Sequence, residues 1–390
     1  MADNKDKKVL NVPALRFPEF TEEWKRIKVS DLLDFYSTNS LSWEQLEYES
    51  NEPYNLHYGL IHVGLPTIID LTKDKLPSIK DGNVPKKYEL CKEGDIAFAD
   101  ASEDTNEVAK VVEFYNLDGK KVVCGLHTIH GRNNNGQTAK GFLGYCFSST
   151  VFHNQIRRIA QGTKIYSINT RNFSEVFVGL PSMNEQQKIA TLLRLMDERI
   201  ATQNKIIEKL ETLIKGIIET VISSQKPNTL IKSCLSCNSS TLQESQVAET
   251  GTFPVYGATG ISGYTEAPDV NGESILIIKD GSGVGTVKHE TGEYSYIGTL
   301  NSLTAKDGYC LKFIYFALQK FCFESYKTGM AIPHIYFKDY GKAKIYCPPY
   351  KLQITISQQL TYIENKIDIE KHLLFYLLQQ KHYLLSQMFI

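Results

Sequence analysis

The feature that most constrains this fold is an internal duplication of sixty residues. Residues 162–221 align with residues 329–388 at one constant offset, with no insertion or deletion. Matching positions hold identical residues, including Gly162 and Gly329, Ile165 and Ile332, Ile168 and Ile335, Pro181 and Pro348, and Gln186 and Gln353. Two copies of one frame on a single chain predict a pseudo-two-fold molecule with two similar working ends.

The second half of each copy predicts a long amphipathic helix. Apolar residues recur there in alternating steps of four and three, which is the spacing of a heptad seam. The seam comprises Ile189, Leu193, Met196, Ile200, Ile207 and Leu210 in the first copy, and Ile356, Leu360, Ile363, Ile367, Leu374 and Leu377 in the second. One polar position interrupts both seams in register, as Gln203 and Glu370. We expect the helices to pair as an antiparallel coiled coil; two separate core helices are the alternative.

The helix ends differ between the copies. Asn184 or Ser182 is suited to cap the first helix, and Glu185 suits a helix N-terminus. The second copy keeps the proline and one glutamine but has Leu352 at the acidic position, so we expect a less well capped first turn. Polar residues 223–229 end the first helix, whereas the second runs to the C-terminal residue of the sequence.

The segments between the helices predict two α/β modules of different sequence. Strand-like runs lie at residues 58–63, 95–99, 110–114 and 121–124, and again at 274–278, 285–287 and 344–347. Helical spacing appears at 151–159 and 312–321, before each repeated block. The predicted fold is therefore mixed α/β (α+β), with two globular domains separated by the coiled coil. The predicted boundaries are 1–183 for the first domain, 184–224 for the first helix, 225–350 for the second domain and 351–390 for the second helix.

Composition narrows the class of protein. The 390 residues, 42% of them hydrophobic, provide material for two globular domains plus helices. No apolar stretch reaches membrane-spanning length and no signal peptide is evident, so we expect a cytoplasmic protein without a membrane partner. The eight cysteines are scattered. The one close pair, Cys234 and Cys237, has no second pair or histidines at zinc-site spacing, so reduced thiols and no metal are expected.

A net charge of −1 means that any nucleic-acid-binding face must be local. Residues 127–140 contain no carboxylate and carry side chains suited to base and phosphate contacts: Arg132, Asn133, Asn134, Gln137 and Lys140. The repeated loops add Thr163, Lys164 and Tyr166 in the first copy, and Lys327, Thr328 and His334 in the second, with Lys279 as a further candidate. The alternative for residues 127–140 is an ordinary polar surface loop. The alternative for the repeated loops is a plain tight turn.

Two segments resemble enzyme motifs superficially. The glycine-rich run 280–286 lacks the lysine of a phosphate-binding P-loop, and we interpret it as a turn between strands. The acidic run 100–104 has no partner cluster that would make a metal or acid–base site. We therefore predict no catalytic residues.

The order of local motifs resembles the specificity subunit of type I restriction-modification enzymes. Residues 13–20 with Trp24 and residues 28–33 resemble the start of the family's first target-recognition domain. Leu180-Pro181 followed by residues 185–190 resembles the start of its central conserved helix, and residues 256–264 with 275–285 the start of its second recognition domain. The second copy departs from the pattern, because it lacks the tryptophan-centred motif and has Leu352-Gln353-Ile354 where the first has Glu-Gln-Gln.

This resemblance implies a non-catalytic subunit that reads double-stranded DNA for a phage-defence system. Each recognition domain would read one half of a split, asymmetric sequence, with the paired helices as a ruler. The family's partners are two methyltransferase subunits and motor-nuclease subunits, on which S-adenosylmethionine, ATP and Mg²⁺ are expected; no cofactor is expected here. A coiled-coil adaptor that binds proteins, and an enzyme that uses residues 281–285 for a nucleotide, are the alternatives.

Overall fold

A computed structural model of the chain describes residues 10–48, 52–329 and 331–390. The predicted first domain therefore includes residues 1–9 and 49–51, and the second includes Met330, which lie outside the described residues. The chain forms two compact units, Met1–Gln203 with Leu373–Ile390, and Asn204–His372. The predicted domain boundaries follow the sequence repeat, whereas these units are defined by compactness, so the predicted boundaries stay a prediction. None of the described helices is both long and apolar enough to cross a membrane.

Two long helices follow the two heads. The first spans Met183–Ile218 and continues as a π-helical turn over Glu219–Ser223, and the second spans Tyr350–Gln387. Ser182 caps the first helix, since its hydroxyl accepts the Glu185 N–H at 3.4 Å, while Asn184 lies inside the helix. The second helix starts with a backbone bond from the Leu352 N–H to the Pro349 carbonyl at 2.8 Å.

The helices pack antiparallel in the first unit. Ile189 and Leu193, near the start of the first helix, share a core with Met388 and Phe389, at the end of the second. An ion pair at the edge of this contact joins the two helices, with Lys381 Nζ 2.5 Å from a carboxylate oxygen of Asp197.

The second unit shows the same antiparallel arrangement. Ile214 and Ile218 share a core with Ile356 and Leu360, and Lys371 forms an ion pair with Glu211 at 2.7 Å. All twelve predicted seam residues are buried or half-buried, as are the polar seam positions Gln203 and Glu370. The predicted coiled coil is thus confirmed within each unit, and the alternative of two separate core helices is excluded.

The head of the first unit contains a five-stranded and a four-stranded sheet. The five strands, in sheet order, are Asp34–Tyr36, Thr128–Arg132, Ile96–Ala99, Val111–Asn116 and Ile68–Asp70. The four strands are Val122–Cys124, Tyr54–Leu56, Ser78–Ile79 and Leu46–Glu47. Strand Tyr166–Ser167 pairs with Ala101–Ser102. The helices are Val29–Leu32, Tyr58–His62, Phe142–Phe147, Thr150–Ile159 and Thr170–Ser174, with a 3-10 turn at Trp43–Gln45.

The head of the second unit has one six-stranded sheet. Its strands, in sheet order, are Leu235–Ser239, Leu300–Ala305, Val270–Ile278, Val287–Tyr296, Phe253–Gly257 and Gly260–Thr265. The helices are Ile231–Cys234, Leu311–Gln319 and Phe337–Tyr340, with 3-10 turns at Glu244–Gln246 and Glu324–Tyr326. The glycine-rich run forms the turn after Ile278, whose carbonyl accepts the Gly285 N–H at 2.9 Å. The interpretation of this run as a strand turn is confirmed.

Most predicted elements are confirmed with shifted ends. The prediction of a strand at 58–63 is wrong, because His57 accepts the Gly59 N–H on its ring nitrogen at 3.2 Å and caps a short helix. The predicted strand at 285–287 contributes only Val287 to the sheet.

The duplication extends to the segment that begins each head. A short antiparallel pair closes each head: Lys25–Lys28 with Phe177–Leu180, and Thr229–Leu230 with Lys344–Ile345. The next residue repeats one more bond, since the Val29 N–H donates to the Val176 carbonyl and the Ile231 N–H to the Ala343 carbonyl, both at 2.9 Å. The common frame is therefore longer than the sequence repeat.

A buried glutamine joins each head to its long helix. Gln186 accepts the Ala139 N–H at 2.9 Å and donates to the carbonyls of Pro181 and Gln137, at 2.9 and 3.1 Å. Gln353 accepts the Cys310 N–H at 2.9 Å and donates to the Pro348 carbonyl at 2.8 Å. These side chains are only 1% and 2% exposed. The repeated proline and glutamine thus form the same joint twice.

Glu185 anchors the start of the chain in the first unit only. Its buried carboxylate accepts bonds from Arg16 Nε and Nη2, at 2.7 and 2.8 Å, and from Trp24 Nε1 at 3.2 Å. Leu352 stands at this position in the second copy. The second copy lacks both the acidic residue and the tryptophan-centred motif. These two differences have one structural cause, because in the first copy the two groups are hydrogen-bonding partners.

A buried carboxyl in the first head has a shifted pKa. Glu113 accepts the backbone N–H groups of Gly141 and Gly144, at 2.5 and 2.7 Å, beside the start of helix Phe142–Phe147. Burial outweighs these bonds and raises the pKa of Glu113 to about 7. Below that pH the folded state holds a proton on this carboxyl.

We expect Gln186→Leu to destabilise the first unit by about 1–3 kcal/mol, because the Ala139 N–H and two carbonyls lose their buried partner. The exposed neighbour provides the control, and Gln187→Leu should change stability by less than about 0.5 kcal/mol. Both tryptophans, Trp24 and Trp43, belong to this unit, so tryptophan fluorescence during urea unfolding reports on it selectively. Equal effects of the two substitutions on stability would contradict a stabilising role for the Gln186 hydrogen bonds.

We expect Glu113→Gln to change how stability depends on pH. In the unfolded chain this carboxyl ionises near its usual pKa of about 4.3, whereas the folded pKa is about 7. The unfolded state therefore binds fewer protons in this window, and the wild-type chain loses stability as pH rises through it, by up to about 1.4 kcal/mol per pH unit. Fluorescence-detected urea unfolding at several pH values should show this loss relative to the variant. Parallel pH profiles would contradict it.

Candidate nucleic-acid interface

The same closed loop precedes the last strand of each head. In the first unit the Gln161 N–H donates to the Ser167 carbonyl at 2.9 Å, and the reverse bond measures 2.8 Å. In the second unit the Thr328 N–H donates to the His334 carbonyl at 2.9 Å, and the reverse bond measures 2.7 Å. These residues match at the offset of the repeat. Backbone groups thus close both loops in the same way.

A glycine at the second position makes this closure possible. Gly162 and Gly329 have φ values of 135° and 90°, and a Cβ atom would lie 1.9 Å from the Ile165 carbonyl oxygen and 2.4 Å from that of Ile332. Only glycine fits both the backbone angle and the space. The tips remain outside the core, because the isoleucine side chains are 61% and 58% exposed.

In the second unit the structure brings predicted contact residues together. The loop packs on the glycine-rich turn, since the Ile335 N–H donates to the Lys279 carbonyl at 2.9 Å. His334 Nδ1 lies 2.7 Å from an Asp280 carboxylate oxygen. Lys327 makes a local ion pair with Glu324 at 2.6 Å. Lys279, Thr328 and His334 therefore surround one loop, next to Lys327.

In the first unit Thr163 and Lys164 lie exposed on the matching loop. Lys164 makes no hydrogen bond or ion pair with any residue that the structure describes. Tyr166 is half-buried, pairs with Ser102 across a short strand and packs on the main core. Lys164 therefore offers an exposed positive charge on this loop, whereas Tyr166 helps to hold the loop against the core.

The other predicted patch is partly engaged with the protein itself. Asn133 donates to the Thr138 hydroxyl at 2.8 Å, and Asn134 donates to an Asp34 carboxylate oxygen at 2.5 Å. Lys140 makes an ion pair with Glu93 at 2.7 Å and lies 4.5 Å from the Tyr115 ring centroid. The Gln137 side chain is exposed, while its carbonyl accepts from the helix glutamine.

Arg132 has a structural role that the sequence did not reveal. Its guanidinium is buried and donates twice to Asp95, both at 2.8 Å, and to Glu89 at 2.7 Å. It also lies 4.3 Å from the Tyr36 ring centroid. These partners raise the pKa of Arg132, with Asp95 the largest cause. We therefore remove Arg132 from the base-reading set.

The two predicted patches of the first head lie at opposite ends of one strand. Thr128 pairs with Ala99, close to where the repeated loop meets residues 100–102. Residues 133–140 follow the other end of the strand, beyond Arg132, and contact the start of the long helix. Only the first of these ends carries the loop shared with the second unit. The repeated loop is therefore the better candidate for a common function.

An aromatic and histidine cluster beside this loop was missed by sequence reasoning. Neighbouring ring centroids are 4.5 Å apart for Trp43 and His57, 4.7 Å for His57 and Tyr58, 5.9 Å for Tyr58 and His62, and 5.2 Å for Tyr58 and His127. Trp43 is 45% exposed, whereas His57 is buried. Burial is the main cause that lowers the pKa of His57. No motif marks this set, because its members come from three separate segments.

Two histidine contacts place this cluster next to the repeated loop. His62 Nε2 lies 2.9 Å from the Ala101 carbonyl oxygen, and His127 Nδ1 lies 3.1 Å from an Asp100 carboxylate oxygen. The Ile168 N–H, just after the loop, donates to the Asp100 carbonyl at 2.9 Å. The short helix Tyr58–His62 thus places its aromatic and histidine side chains where a strand was predicted.

Comparison with known proteins agrees with this architecture. A family model described as "Type I restriction modification DNA specificity domain" matches residues 114–212 and 234–377. No curated protein sequence gives a significant match. Among solved structures, the S subunit of a type I restriction-modification system from M. genitalium shows 19% identity and a TM-score of 0.64, covering 97% of this chain and 99% of that one.

A second structure concerns complex assembly and conformational transition of the type I R-M system. It shows 16% identity and a TM-score of 0.55, and the alignment covers 93% of this chain and 96% of that one. At such identities both likenesses show the fold alone. The family model matches more than half of the described chain in two segments, one for each copy of the repeat. The chain belongs to the type I restriction-modification DNA specificity family.

Proposed function

We propose that each head reads one half of a split DNA target through its repeated loop. This proposal is based on the observation that two heads of different sequence present the same closed, exposed loop. Backbone closure keeps the loop shape constant, while side chains at the tip and beside it differ. That combination suits two readers of unlike half-sites, since base contacts come from side chains whereas phosphate contacts only position the protein.

The loop residues named here are proposed to contact phosphates and so to position each head, whereas base contacts would come from other side chains at and beside the loop. Lys164 in the first head and Lys279 and Lys327 in the second supply positive charge, and Thr163, Thr328 and His334 supply hydrogen-bonding groups. The ion pair of Lys327 with Glu324 is partly exposed and therefore weak, so phosphate can compete for the lysine. Asn133, Asn134, Gln137 and Lys140 form a secondary set, and Tyr166 supports its loop.

The long helices would set the distance between the half-sites. A helix of 36 residues such as Met183–Ile218 rises about 54 Å. One turn of duplex DNA measures roughly 34–36 Å, so a helix of this length spans between one and two turns. Its antiparallel packing on the second long helix makes it stiffer than a single helix. We propose this pair as the ruler that separates the two reading loops.

The chemistry would reside on partner subunits. We propose two methyltransferase subunits, which would bind S-adenosylmethionine, and motor-nuclease subunits, which would bind ATP and Mg²⁺. The proposal is supported by the family match and by the structural likeness to a chain from a type I R-M assembly. This chain would choose the DNA sequence, and the methyl donor and ATP would bind to its partners.

We expect the chain, co-expressed with its methyltransferase partner, to direct adenine methylation at a split motif with a fixed gap. Deleting one matched heptad from each long helix shortens the pair by about 10 Å, so the gap should fall by roughly three base pairs. Genome-wide methylation mapping gives both motifs. An unchanged gap would refute the ruler, and a contiguous motif would refute reading by two heads.

We expect Lys164→Ala to weaken DNA binding by the assembled methyltransferase complex without changing the motif. Loss of one phosphate contact should reduce the slope of log affinity against log salt by about 1. Lys226→Ala is the matched control, because Lys226 is also an exposed lysine but belongs to the polar linker and to neither repeated loop. If both variants bind like wild type, the loop is not the interface. If the complex has no salt-dependent DNA affinity, a protein-binding adaptor is the better interpretation.

A further inference from the structure

The first unit buries two thiols and an imidazole in one cluster. Cys91, Cys124 and His130 are 6%, 2% and 0% exposed, and their ligand atoms lie within 4.8 Å of one another. The two sulfur atoms are 3.6 Å apart, far longer than a disulfide bond of about 2.05 Å. Soft thiolate and imidazole donors are the set that zinc prefers.

The imidazole is already oriented for metal binding. His130 Nε2 lies 2.7 Å from an Asp95 carboxylate oxygen. Arg132 also donates to both oxygens of this carboxylate, which keeps it ionised and makes Nε2 the donor. Metal-ligating histidines commonly donate their second ring N–H to a carboxylate in this way. Asp95 thus fixes both the tautomer and the ring.

The other ring nitrogen, Nδ1, has no hydrogen-bond partner among the described residues. His130 Nδ1 is fully buried and makes no hydrogen bond with any part of the chain that the structure describes. With the proton on Nε2, Nδ1 carries a lone pair inside the protein. An unpaired buried acceptor costs free energy and needs an explanation. A cation held by this nitrogen and the two sulfurs supplies one.

We propose that Cys91 Sγ, Cys124 Sγ and His130 Nδ1 bind one zinc ion. The sulfur separation of 3.6 Å is close to the roughly 3.8 Å edge of a tetrahedron with Zn–S bonds of about 2.3 Å. Both thiols release their protons on binding, and the two thiolates balance the charge of the ion. Three protein ligands leave the fourth position for a water molecule.

The ion would tie together the two sheets of the first head. Cys124 ends a strand of the four-stranded sheet, His130 lies in a strand of the five-stranded sheet, and Cys91 lies in the segment before strand Ile96–Ala99. The same strand as His130 leads into residues 133–140. The inference concerns the architecture of this head and does not depend on the DNA proposal. It departs from the sequence expectation of no metal, which weighed only Cys234 and Cys237.

The second unit supplies a matched control. Cys234 and Cys347 also form a buried pair with their thiols in contact. Among described residues, however, the only group of three or more ligand-type side chains that is close enough to hold a metal ion is the cluster at His130. A thiol pair without an imidazole should not retain zinc after purification.

The test measures metal in the full chain expressed in zinc-containing medium. Elemental analysis by mass spectrometry should give one zinc ion per chain in wild type and in Cys347→Ser, and most of it should be lost in Cys91→Ser and in Cys124→Ser. A wild-type chain without zinc overturns the proposal. So does full zinc retention in Cys91→Ser.

A second measurement avoids variants that fail to fold. The wild-type chain is stripped with a chelator and refilled with Co²⁺, which reports its ligands by visible absorption. We expect the intense d–d bands of a tetrahedral ion and a near-ultraviolet thiolate charge-transfer band. Absence of both bands, or a Cys91–Cys124 disulfide in the purified chain, overturns the site. Because the readout is spectroscopic, its failure is distinct from any failure of DNA recognition.

Discussion

A buried amide at the start of each long helix holds the backbone of the head to that helix. Gln186 and Gln353 make their bonds to backbone groups: the N–H groups of Ala139 and Cys310, and the carbonyls of the prolines five residues earlier. A backbone partner is available whatever side chain is present. The joint therefore constrains the path of the head's chain but leaves its sequence free. Two heads that share little sequence can then attach to one frame with the same geometry.

The first joint carries an added charged network, and the second does without it. Glu185 is buried, and a buried carboxylate requires partners, which Arg16 and Trp24 provide. Leu352, at the matching position, is exposed and uncharged, so it needs no such partner. Removal of the Arg16 segment alone would leave the buried Glu185 carboxylate unpaired, so we expect this acidic residue only where the anchoring segment is present. The asymmetry of the repeat thus follows from electrostatics.

Periodic features of the sequence were predictive, and contacts between distant segments were not. The seam spacing correctly indicated which helix faces are buried, because burial of apolar side chains repeats with the helical period. Arg132 looked like a base-reading residue because its partner Asp95 lies far away in the chain and meets it only across the sheet. The strand predicted at 58–63 failed for a local reason, a histidine cap that outweighs β-forming residues. The contact residues proposed for DNA remain predictions.

In the repeated loop, as in the glutamine joints, backbone groups fix the geometry and the side chains between them can vary. Backbone hydrogen bonds close the loop between Gln161 and Ser167 in the first unit and between Thr328 and His334 in the second. Each loop also needs a glycine at its second position, where a Cβ atom would clash with the backbone. Between these fixed points the copies differ, with a lysine in the first where the second has an alanine. A loop built to bind one fixed ligand would be expected to keep its side chains along with its shape. Constant closure with changing side chains fits the proposal that each head contacts a different half-site from the same position on its frame.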